Sequence, residues 1–114
     1  MISIEQFNLN SDRLLRRYLD DMGFIHTDFS DSSVESSLIY IHTIRYIKEY
    51  LKILKDILKD TYSEDKKVID EKILLNWLID IQDNVVIDED KEKSVSVFIA
   101  IKKLQSIINS ARIN

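Results

Sequence analysis

Tyr40, Ile44, Ile47, Leu51, Leu54 and Leu58 recur along the chain with alternating gaps of four and three. That spacing lines one face of an α-helix and neither face of a β-strand. A second stripe, Ile39, Thr43, Tyr46, Tyr50, Ile53 and Ile57, runs about 100° further round the same helix. Two adjacent stripes make an apolar arc too wide for one neighbour. The helix is therefore expected at the centre of a bundle, touching at least two others. Ser32, with Glu35 three residues on, forms a capping box that opens it. At roughly 26 residues it would be about 39 Å long.

The rest of the chain agrees with a helical class. Glycine occurs once in 114 residues, and proline and cysteine never. One Gly cannot build a P-loop or a GxGxxG turn, which removes glycine-rich phosphate sites. Absent Cys removes disulfide-stapled folds and zinc fingers. The length suits a single domain spanning residues 1–114, and 45% hydrophobic residues are enough for a core. The expected fold is all-α, a single-domain antiparallel bundle of about four helices.

Ser11 reads as the N-cap of a first helix that runs to Met22, with Leu15, Leu19 and Met22 on one face. Gly23 sits where a C′ residue needs positive φ, and Phe24 is placed to close a Schellman contact. Residues 2–9 read as a short extra turn or an extended strap, and residues 24–33 as a linker. Thr61 and Glu64 form another capping box. It predicts a short turn and makes the second and third helices antiparallel neighbours, the third burying Leu74, Leu78, Ile81 and Val85. A break over residues 84–93 precedes a fourth helix with Val97, Ile101, Leu104, Ile108 and Ala111 in register. The alternation Ser94-Val95-Ser96-Val97 makes a hairpin through residues 85–99 a competitor, and the later spacing decides for helix.

Charge is modest overall, at −4, but unevenly placed. Residues 60–93 carry −6, and residues 94–114 carry +3 with no acid at all. Arg45, Lys48, Lys52, Lys55 and Lys59 form a basic stripe along the second helix, long enough to follow phosphates or an acidic partner. Glu49 and Asp56 lie within a turn of several of these bases, and the aromatics sit on the other edge of the apolar arc. A solvated flank is the plainer reading. Asp80, Asp83, Asp88, Glu89, Asp90 and Glu92 form the acidic counterpart. They lack EF-hand spacing and a loop Gly, so a metal is the least favoured of their roles, after solvation and a docking rim for a basic partner.

The start of the fourth helix is apolar almost all round. Val97 and Ile101 face the main seam, Val95 and Ile99 point the other way, and Phe98 lies between. Either residues 2–9 cover that far face or another chain does. Catalysis has little to stand on. His26 sits in one polar linker with Asp28, Ser30 and Asp31, whereas triad members converge from separate rigid elements. His42 is on the polar side of the second helix, and no paired Glu-x-x-His exists for a di-iron or zinc bundle. Trp77 reads as core.

The N-terminus MISIEQFNLN lacks a basic region before an apolar run, and the longest uncharged run is nine residues, Ser36–Ile44. A cytoplasmic protein without signal or membrane span is expected. The functional expectation is a small non-catalytic protein-interaction module without a cofactor, one that occludes or scaffolds a protein partner or self-associates. Immunity proteins, antitoxins, inhibitors and secretion chaperones have this character. Its interface would join Val95, Phe98 and Ile99 to an acidic rim at Asp83, Asp88, Glu89 and Asp90. The alternative is a nucleic-acid-associated bundle, such as a ribonucleoprotein subunit, working through the Lys stripe.

Overall fold

Ser3, Glu5 and Gln6 start the first helix. The Ser3 hydroxyl accepts a hydrogen bond from the Gln6 backbone N–H at 3.1 Å, which is an N-cap bond to the third helical residue. In the computed structural model, which describes residues 1–25, 34–61, 67–84 and 91–113, a two-residue strand β1 (Ile2–Ser3) leads into α1 (Ile4–Ile25). There follow α2 (Val34–Thr61), β2 (Val68–Ile69), α3 (Lys72–Asn84) and α4 (Lys91–Asn109). Four helices pack against one another as expected, within a body 52 Å long.

Three helix boundaries differ from the sequence expectation. Ser11 is not a cap but an interior residue of α1, fully buried, with its hydroxyl donating to the Phe7 carbonyl at 2.8 Å. That back-bond removes the cost of burying the hydroxyl, so Ser11 continues a seam of Ile4, Phe7 and Tyr18. Gly23 does not end the helix, which runs on to Ile25; no described glycine has positive φ. Thr61 is the last residue of α2 rather than the cap of α3. Asp70 caps α3 instead, accepting from the Lys72 N–H at 3.0 Å. The opening of α2 at Val34 and the helical state of residues 91–99 follow the spacing argument, so the hairpin competitor is absent there.

Side-chain contacts give the directions. Asn10 Nδ2 donates to the Ile107 carbonyl at 3.2 Å, and the Ser3 N–H donates to the Ala111 carbonyl at 2.9 Å, so α1 runs against α4. Asp12 pairs with Lys55 while the Tyr18 ring meets Tyr40 at a tilt, so α1 also runs against α2. The parallel pair α2 and α4 is the most intimate in the molecule. Ser96, Ala100 and Thr43 are buried there, and such small side chains let two helix axes approach closely. The Ile39 carbonyl accepts from both Thr43 Oγ1, at 2.7 Å, and Ser96 Oγ, at 3.0 Å, which joins the helices without an unpaired polar atom. Ile44, Ile47, Leu51, Leu54 and Leu58 of α2 and Val97, Ile101, Leu104 and Ile108 of α4 form the centre of the core.

The expected close pairing of α2 with α3 is not what forms. α3 rests mainly on α4, through Leu74 and Leu78, and reaches α2 at its aromatic edge. The longer connection is the reason: between α2 and α3 the chain makes β2, which pairs antiparallel with β1, Ile2 opposite Ile69. Ile2 also bridges to Arg112, and the Ile113 N–H donates to the Met1 carbonyl at 3.0 Å. Three chain segments thus form a clasp across one end of the bundle. Glu71 locks it, its carboxylate held by the Met1 ammonium and by Arg112 Nε at 3.6 Å.

Candidate functional site

The outward face of α4 begins with Val95 and Phe98, one turn apart, at 43% and 36% exposure. Ile99 beside them is half-buried, while Val97 and Ile101 are buried as the seam required. The residue 2–9 segment does not cover this face. Its bonds to Ala111 and Ile107, by way of β1 and Asn10, place it over the opposite end of α4. Of the two coverings considered, the intramolecular one is therefore not supplied by that segment.

Asp83 is exposed near the end of α3, at the end of the bundle where α4 starts. Asp88, Glu89 and Asp90 lie outside the described residues, as do His26 and the connection from 85 to 90. Asp83 is thus the one residue of the expected rim that the structure places near Val95, Phe98 and Ile99.

The basic stripe is partly neutralised by its surroundings. Arg45 pairs with Glu49 at 3.5 Å on its own helix, and Lys55 pairs across to Asp12 of α1, also at 3.5 Å. Lys48, Lys52 and Lys59 are exposed. Lys55 and Lys59 also line an open groove of about 980 Å³ with Lys67, facing Glu5 and Asp12 over Leu9, Leu58 and Val68. Three bases against two acids leave that groove nearly neutral, with no charge to concentrate an anion.

The second stripe of α2 is covered less than a stripe of its width should be. Tyr46 and Tyr50 stack at 5.8 Å, and the Trp77 ring meets Tyr50 edge-on at 5.5 Å, so Trp77 is half-buried rather than enclosed. Burial raises the Tyr50 hydroxyl above its ordinary pKa, with Tyr46 and Glu49 adding to the shift. The expectation that the wide arc would meet two neighbours holds for α1 and α4. Periodicity alone had no signal that α3 would stand off from it.

His42 is half-buried on α2. No group of three His, Cys, Asp or Glu side chains among the described residues could hold a metal ion. No described helix is long and apolar enough to cross a membrane. No protein-family model matches the chain, and no curated protein or solved structure shows significant similarity to it.

Proposed function

We propose that the chain is a small non-catalytic protein-interaction module that occludes or scaffolds a protein partner through the outward face of α4. One observation carries the reading: Val95 and Phe98 stand exposed together on a helix whose other face is fully used by the core. A helix facing only water would carry polar residues at these places, as α4 does further on at Lys102, Ser106 and Asn109. Asp83, at the same end, supplies charge at the edge, where it steers encounter more than it holds the complex.

The test is retention of a partner by the purified, tagged chain, followed by binding of the two purified components. Phe98→Asp and Val95→Asp should each weaken binding at least tenfold while leaving the circular dichroism spectrum and melting temperature near the parent's. Undiminished binding by both variants would refute the assignment of the face. Global unfolding of either would show that the residue belongs to the core. The nucleic-acid alternative has less support, because two of its five bases already face acids. If it held, Lys52→Glu with Lys55→Glu would abolish nucleic-acid binding and reduce its salt dependence.

A further inference from the structure

The uncovered stripe of α2 and the near edge of α3 form a continuous apolar seam. On α2 it consists of Tyr46, Tyr50, Ile53 and Ile57; Ile53 is 40% exposed and the others are half-buried. On α3 it consists of Ile73, Trp77 and Ile81, spaced at i, i+4 and i+8; Ile73 is 41% exposed. Trp77 meets Tyr50, and α3 starts beside Arg112 at the far end of α4, so α3 runs against α2. That register sets Ile73 toward Ile53 and Ile81 toward Tyr46. From Tyr46 to Ile57 the seam runs about 17 Å, enough for three turns of a guest helix.

Its borders are acidic. At 100° per residue, Glu49, Asp56 and Asp60 fall on α2 just outside the stripe; on α3 Asp80 lies about 60° from Trp77, with Asp83 about 60° further round on the same side. All five are exposed. The bases nearest these borders are Arg45, already paired with Glu49, exposed Lys52 just beyond Arg45, and Lys72, so the acids outnumber them five to three. Lys48, Lys55 and Lys59 lie on the opposite edge of α2, toward α1.

We infer that this aromatic, acid-bordered seam between α2 and α3 receives a basic amphipathic helix of a partner protein. The apolar face of such a helix would lie on Tyr46, Tyr50, Ile53 and Trp77, and its Lys or Arg side chains would reach the five acids. Half-buried Tyr and Trp are the side chains that anchor interfaces most strongly, and helix-in-groove docking uses anchors spaced as these are. The surface shares with the α4 face only Asp83, at the edge of each, and the premise that the chain binds proteins.

Trp77 is the only tryptophan, so its fluorescence reports on this seam alone. The probe is a synthetic helical peptide with leucines on one face and lysines on the other, titrated into the purified chain. A peptide of the same pattern with glutamates in place of the lysines serves as control. Saturable binding of the lysine peptide with a blue shift of Trp77 is expected, weakened by salt and absent for the glutamate peptide. Ile53→Lys should weaken it at least tenfold, Asp56→Lys with Asp80→Lys should remove its salt dependence, and Phe98→Asp should leave it unchanged. That last variant separates the outcome from the α4 proposal, which fails or survives independently. The inference is overturned if the lysine peptide gives no saturable change or binds the Ile53→Lys variant equally well. It is also overturned if the chain alone forms a dimer that Ile53→Lys dissociates, which would make a second copy the occupant.

Discussion

Ala100 tests what holds the two central helices together. It is fully buried, one turn beyond Ser96, where α2 and α4 pack most intimately. Ala100→Leu adds three carbons at a fully buried place. The transfer gain of about 0.8 kcal/mol per buried CH₂ cannot be realised without moving a helix. Overpacking of this kind costs about 1–3 kcal/mol. A domain of this length has roughly 6–17 kcal/mol of net stability, so the loss is a large share. It corresponds to a fall of roughly 4–12 °C in melting temperature. Thermal unfolding followed by far-UV circular dichroism measures it. Ala100→Ser, which keeps the volume small, should stay within about 1 kcal/mol of the parent. A Leu variant melting within about 2 °C of the parent would refute the argument that small residues set this crossing.

Two further predictions concern positions whose roles the structure defines. Ser11→Ala should change stability by less than about 0.5 kcal/mol, because alanine's helix propensity offsets the lost back-bond. Ser3→Ala should cost about 1 kcal/mol as a true cap, and chemical denaturation that ranked the two the other way would restore Ser11 as the helix start. Hydrogen bonding to the Met1 ammonium, with the Glu71 backbone N–H and the Arg112 charge adding, holds the Glu71 carboxyl below its ordinary value of 4.5. Its folded pKa is therefore below the unfolded one, so its stabilisation is present above about 4.5 and is lost as pH falls through the folded value. Glu71→Gln should flatten the pH dependence of stability in that acidic window; an unchanged acid slope would show that the clasp ion pair contributes nothing.

The central helix was legible because eleven apolar positions and Thr43 agree on one period; packing buried the first stripe from Ile44 to Leu58 and left the second partly uncovered. The start of α1 was not legible from Ser11. A serine that bonds its own helix looks the same in sequence as one that caps it. Eight residues earlier, Ser3, with Gln6 three residues on, has the capping-box pattern that Ser11, with Leu14, lacks. The clasp was invisible for another reason. Its strands have two residues each and depend on partners distant along the chain, which local patterning cannot reach. For the candidate site, outward placement of Val95 and Phe98 follows from helical phase. The stand-off of α3 from α2 does not, because it depends on β2 taking up chain that would otherwise have made a tight turn.

The clasp also has a kinetic meaning. Ile2 and Arg112 bridge across 110 positions of sequence. Closing a loop of that length costs roughly 1.7 kcal/mol more than closing one of 15 residues, so this contact gains nothing until α2 and α4 have condensed. Ile2 is fully buried, and a contact this distant in sequence is expected to form late, beyond the folding barrier. Contacts made that late act on the rate of leaving the native state. The clasp is thus a latch on unfolding: loosening Ile2 would shorten the lifetime of the folded chain and leave the speed of its folding unchanged.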